Sequence, residues 1–340
     1  MAASKGGREM KLKKSQIFTI TACALAALFF ASVLAIGLAA EPDRSVNTKI
    51  ARGHENALVI DPAEEEIDSL DISWLTGPVT VGISPDNKIH VTERSAKAID
   101  EADRMKVETG SGALKIRWDG QWFRKFFNVN LGWFGQKDKE LEVLLPRELM
   151  VELVTLDVSN TSGDMSVAGC KSEDMSVSTV SGSLSLSSCS AERMEVNTVS
   201  GEAFLNEISA TESLTVNTVS GVMELAGVDS EALTLDTVSG GCKLDGQVQE
   251  LNVSTISGDI SASLSAEPLD VDMDSVSGRL TLELPPAAGF TVEHDSVSGS
   301  FRSDFPTEDL GGGRVRCGSG GAEIRMNTTS GGMEIKRRDI

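Results

Sequence analysis

The 340-residue sequence predicts an all-β fold, a parallel β-solenoid of about 18–21 residues per coil. Ser-Gly stands nine times behind a short β-prone run, and from Gly163 to Gly299 the glycines are 18 to 21 residues apart. Aligned on those glycines, apolar residues form columns. Two residues after the Gly stand Met165, Leu184, Ala203, Met223, Cys242, Ile260, Leu280 and Phe301, and five before it Val177, Val196, Val216, Leu235, Val253, Met273 and His294. A unit with one apolar side cannot bury that side alone, so successive units must stack.

Within each copy apolar and polar residues alternate on both sides of the Ser-Gly, the period of a strand with one buried face. Each copy therefore reads as two short strands meeting at a corner, where Gly accepts φ > 0 or close backbone approach. The residues just before it, Thr179, Thr198, Thr218, Thr237 and Thr255, should stack between coils and hydrogen-bond across them. Leucine-rich, helical and calcium-binding nonapeptide repeats each need a pattern that this chain lacks.

The Ser-Gly repeats, led in by Leu156-Asp157-Val158-Ser159-Asn160-Thr161-Ser162-Gly163-Asp164-Met165 and preceded by Leu141-Glu142-Val143-Leu144-Leu145-Pro146, resemble a bacterial domain-of-unknown-function family. Its members are described as "putative adhesins" and built as β-helices. The resemblance covers roughly residues 50 to 340 and implies a right-handed solenoid. For function it implies only the family label, since a fold alone does not assign an activity.

Residues 1–14 form a short basic tail, with five Lys or Arg against Glu9. No charged residue occurs from Ser15 to Ala40, a run longer than the roughly 20 residues that span a bilayer. An uncleaved transmembrane signal-anchor helix over 15–40 is the expectation, with the basic flank cytoplasmic and residues 41–340 extracytoplasmic. The alternative is secretion after signal cleavage near Gly37 and Ala39. Residues 41–56 read as a linker.

Residues 57–150 read as irregular β coils continuous with the repeats, with strands at 57–60, 67–75, 78–83, 88–91, 113–118 and 141–145. Seven of the fifteen aromatic residues fall in 118–134: Trp118, Trp122, Phe123, Phe126, Phe127, Trp133 and Phe134. This segment reads as a cap over the open solenoid end, or as a contact for a partner or membrane. Regular repeats occupy 151–340, with a loop insertion at Pro306 and Gly311-Gly312-Gly313 before a last coil. Lys336, Arg337, Arg338 and Asp339 would blunt the final edge.

The chain carries −20 at pH 7, and the basic tail leaves about −24 for the remainder, which argues against nucleic acid and anionic lipid as partners. No phosphate loop, H-E-x-x-H, G-x-S-x-G or C-x-x-C occurs, so no catalytic residue, cofactor or dedicated metal site is expected. Asp272 and Asp274 share columns with Glu293 and Asp295 of the next repeat, extended by Asp270. That row reads first as a solvated acidic face and second as a weak cation patch. Cys170 and Cys189, each seven residues past their Gly, should stack, either as buried free thiols or as a disulfide. His294 falls in an inward column and reads as a packed residue.

The sequence thus points to a membrane-anchored, extracytoplasmic, non-enzymatic surface module of adhesin type. The alternatives are a self-associating scaffold or envelope-stress component acting on a membrane partner, and, more weakly, an envelope polysaccharide enzyme.

Overall fold

The computed structural model describes residues 55–338, apart from 97, 100, 102, 103 and 119–138. The repeats form the expected stack of parallel coils. Each regular coil is a long strand, the Ser-Gly corner and a short strand, as in Lys171–Ser181 followed by Leu184–Ser187, then Ser190–Ser200 followed by Ala203–Asn206. Farther on, strand pairing continues through the corner after the short strand, so Met223–Ser239 and Cys242–Ser257 run on as single long strands, the first with Gly227 at φ +67° and a register shift between Ala226 and Val228.

Register follows the apolar columns. Val177 pairs with Val196, Val196 with Val216, Val216 with Leu235 and Leu235 with Val253. On the short strands Met165, Leu184, Ala203, Met223, Cys242, Ile260 and Leu280 pair in succession. All are buried, and together they make one continuous core. A one-residue slip would turn every one of them to solvent, so the pattern itself fixes the register.

The corner explains the glycine. Gly182 has φ +129°, and a Cβ there would stand 2.3 Å from the carbonyl oxygen of Gly163 in the coil below. The same backbone rows bond along the rod: Gly163 N–H donates to Ser181 O, Gly182 to Ser200 O and Gly201 to Ser220 O, at 2.9 to 3.2 Å. The threonine column is buried and stacked as expected, but its hydroxyls do not bond across coils. Among the described residues the Oγ1 atoms of Thr198, Thr218, Thr237 and Thr255 have no partner. Identical short side chains repeat at the backbone spacing of roughly 4.8 Å, too far for an O–H···O contact. The longer amides do reach, and Asn217 Nδ2 donates to Asn197 Oδ1 at 2.9 Å.

Both ends of the rod are built out of chain order. At the proximal end, Ser69–Thr76 lies between Ala113–Arg117 and Leu153–Ser162, so the outermost coil is the one made later in the chain. Three antiparallel strands finish this end: Ile89–Ser95 on Lys139–Leu145, Glu55–Ile60 on Ile89–Ser95, and Lys106–Gly110 on Ala113–Arg117. The last of these, and the single-turn helices Pro62–Glu65 and Arg147–Met150, were not expected from the sequence.

At the distal end Ala322–Ser330 inserts between Asp270–Ser277 and Phe290–Ser298, and Met333–Arg337 inserts between Leu280–Leu284 and Phe301–Ser303. The expected loop insertion is instead an antiparallel hairpin, Glu308–Gly311 with Arg314–Cys317, paired onto Phe290–Ser298. Lys336 and Arg337 therefore belong to an interior coil and not to an edge, and Arg338 lies beside Asp245 at 3.0 Å. Among the described residues no helix is long and apolar enough to cross a membrane; the expected anchor, residues 15–40, lies outside them.

Candidate functional site

On the outward face of the long strands, toward the proximal end, lies an open trough of about 730 Å³. Its floor is one column of the repeat, six residues before each Gly: Asp71, Asp157, Ser176, Glu195 and Thr215, paired in that order. Alternation sends these side chains outward while Leu70, Leu156, Met175 and Met194 next to them point into the core. Small hydroxyl residues leave the depression, and acids are spaced along it.

Asp71 is held by Arg117, whose Nη1 donates to Asp71 Oδ1 at 2.6 Å while Nη2 donates to Oδ2. Arg117 also donates to Ser73 Oγ at 3.0 Å. Asp157 sits one coil farther along without such a clamp. Burial, helped by the Asp71 and Glu195 charges and opposed by Arg117, pushes its carboxyl up from 3.8 to about 6. Beside the floor, Arg193 bridges coils: it donates from Nε to Asp174 Oδ1 at 2.7 Å and from Nη1 to Glu212 Oε2 at 2.8 Å. A carboxyl raised toward 6 takes up a proton more readily than an ordinary Asp, and its acid form donates as well as accepts hydrogen bonds. Set among hydroxyls, it suits a polar, extended ligand.

The predicted acidic row is not assembled as expected. The inserted coil places Arg325 between Asp272 and Glu293, and Asn327 between Asp274 and Asp295. Arg325 donates to Asp270 Oδ1 at 2.8 Å and to Asp272 Oδ2 at 3.2 Å, and Asn327 Nδ2 donates to Asp274 Oδ1 at 2.8 Å. The row alternates acid with cation or amide, so the four carboxylates do not converge. Among the described residues no group of three or more His, Cys, Asp or Glu could hold a metal ion.

Of the aromatic segment only Trp118 is described; Trp122, Phe123, Phe126, Phe127, Trp133 and Phe134 lie outside the described residues. Trp118 is buried and packs edge-on against Trp74, with centroids 4.9 Å apart. His294 is partly exposed and stacks flat on Phe301 at 4.3 Å, and its desolvation lowers its pKa. Cys170, Cys189, Cys242 and Cys317 are buried free thiols.

A family model described as Toastrack DUF4097 matches residues 67–336. The chain belongs to the Toastrack DUF4097 family. Solved structures similar to this Toastrack chain include a "putative adhesin" from Parabacteroides distasonis, 9% identical with a TM-score of 0.49, covering 84% of this chain and 98% of that one. Another "putative adhesin", from Bacteroides fragilis, is 11% identical with a TM-score of 0.39, over 85% and 98% of the two chains. A "putative lipid binding protein" from Parabacteroides distasonis is 12% identical with a TM-score of 0.38, over 85% and 98%. No curated protein matches this Toastrack chain in sequence.

Sequence reasoning found the column of the trough at its distal end, in Asp272 and Glu293, and missed it at the proximal end. The missed signal was Gly77. Counting it as a repeat glycine puts Asp71 at the same offset as Asp157, before Gly163.

Proposed function

We propose that this chain is a membrane-anchored, extracytoplasmic β-solenoid that serves without catalysis as a cell-envelope surface module of adhesin type, with the proximal trough as its ligand-bearing face. The observation that carries this reading is the trough. It runs across stacked coils and sets charged and hydroxyl side chains, Asp157, Ser176, Glu195 and Thr215 among them, over a mainly apolar lining, with the Asp157 carboxyl raised to about 6. Such a face suits recognition of an extended polyhydroxylated ligand such as a glycan strand. The uncharged run at 15–40 behind a basic tail supports the anchoring, and the acidic, Ser-rich solenoid supports an exterior position. Support for a non-catalytic role comes from Asp71, the carboxyl next to Asp157, which is already clamped by Arg117.

Two measurements test the reading. Protease added to spheroplasts should digest the C-terminal domain and leave a membrane-bound stub. Digestion only in inverted vesicles would overturn the topology. Binding of the full chain in detergent to an envelope-glycan panel should be weakened by Asp157→Ala and by Ser176→Arg, with no glycan cleaved. Binding indifferent to both changes, or turnover of any glycan, would reject the trough as a recognition face.

A further inference from the structure

The corner after each short strand brings two cysteines together. Cys170 follows Met165–Ala168 and Cys189 follows Leu184–Ser187, and these strands are neighbours in register. Beyond the corner Lys171 pairs with Ser190, and Ser190 N–H donates to Cys170 O at 2.9 Å. The cysteines thus hold equivalent positions in adjacent coils. Adjacent strands lie roughly 4.8 Å apart, inside the roughly 4.4–6.8 Å Cα separation that a disulfide spans. Both side chains are buried, with Cys170 Sγ donating to Ala168 O at 3.8 Å and Cys189 Sγ to Ser187 O at 3.4 Å. The column continues as Ile208 and Val228, both buried. An aliphatic filler is thus all that packing requires at these positions, and two successive thiols call for a different explanation.

From this geometry we infer that Cys170 and Cys189 are a cross-linking site, closed into an intercoil disulfide by exchange with a disulfide donor. The Cys189 thiolate attacks one donor sulfur and expels the other as a thiolate. Cys170, giving up its proton, then attacks the Cys189 sulfur of the mixed disulfide and releases the second donor thiolate. Two electrons pass to the donor, which leaves as two thiols carrying the two protons. Cys189 is the better first nucleophile, because the neighbouring Cys170 thiol lowers its pKa to about 7 while Cys189 raises that of Cys170. Lys171 and Ser188, which flank the pair, are exposed, so a small opening of the corner admits the donor. The chemistry needs only a disulfide donor and stands apart from where the chain resides.

The sequence makes the test direct. Trypsin cuts after Arg147, Lys171 and Arg193, which puts Cys170 in peptide 148–171 and Cys189 in peptide 172–193. The full chain in detergent is incubated with oxidised glutathione, quenched with N-ethylmaleimide at low pH, digested and weighed. The expected product is the two peptides joined, two hydrogens lighter than their sum and separated by dithiothreitol. Closing a loop of this length should also raise the melting temperature by roughly 5 °C. Cys170→Val and Cys189→Val, which extend the aliphatic column, should each fold, show no joined peptide and melt alike with and without oxidant. Recovery of the wild-type peptides as separate species, alkylated or glutathionylated, would overturn the proposal whatever the variants do.

Discussion

Lys139 Nζ lies 2.6 Å from Glu93 Oε1, with both side chains almost wholly buried in the proximal cap. The pair is built in from all sides. Glu93 also accepts from Met105 N–H at 3.0 Å, while Lys139 donates to Trp118 O at 3.1 Å and sits 4.0 Å over the Trp118 ring. Trp74 Nε1 in turn donates to Lys139 O at 2.9 Å. The pair therefore ties the outermost coil to the antiparallel strand that covers it. Removing one partner strands the other charge in the core. Lys139→Met is expected to cost about 3–5 kcal/mol, while Lys139→Met with Glu93→Leu should recover much of that loss. Urea unfolding of the three proteins measures it, and a single variant as stable as wild type would show that the site is wetter than the structure implies.

Asp157 makes stability depend on pH in a direction opposite to most carboxylates. Its pKa is raised from 3.8 to about 6 on folding, so the folded chain holds the proton more tightly. Stability from this group is highest below pH 4, falls as pH rises toward 6, and stays low above it. Asp157→Asn should therefore gain on the order of 1–2 kcal/mol at pH 7 and little at pH 4. The comparison needs unfolding free energies of both proteins at the two pH values. An equal effect at each would mean that the carboxyl titrates normally.

How far the sequence carried the structure is visible in particular residues. Val177, Val196 and Val216 announced their pairing because period two and a fixed spacing from Gly leave one register. Arg325 could not be placed between Asp272 and Glu293 in the same way, because column alignment gives each repeat an offset and says nothing about stacking order. A chain that skips one coil and returns to fill the gap has the same periodicity as one that does not. The trough was hidden for a related reason: Asp71 and Asp157 are 86 positions apart in sequence yet direct neighbours, with the cap strands and the outermost coil between them in the chain.

The Gly ladder predicts a sharp positional contrast. Gly182→Ala would bring a methyl group to 2.3 Å from Gly163 O at φ +129°, against backbone that cannot give way without moving a coil. The expected loss is about 3 kcal/mol or more. Gly332→Ala, where a Cβ meets nothing within 4 Å, should change stability by well under 1 kcal/mol. Thermal melts of the two variants side by side separate a clash at the corner from a general intolerance of alanine.

The inserted distal coil gives a prediction about both order and charge. Removing residues 322–340 deletes Ile324, Met326, Met333 and Ile335 from the core and takes away the coil on which Phe290–Ser298 rests. Because coils in a solenoid hold mainly to their neighbours, hydrogen exchange should lose protection over residues 290–317 and keep it over 184–216. The stranded coil has one place to go, onto Asp270–Ser277. That would set Glu293 beside Asp272 and Asp295 beside Asp274 with Arg325 gone. Like charges at strand spacing oppose such pairing, so redocking should need acid pH or millimolar Ca²⁺. Protection over 290–298 that returns on adding Ca²⁺ to the truncated chain would show that Arg325 is what lets these acidic rows share one face. Protection that never falls on truncation would show that the distal coil does not depend on the inserted one.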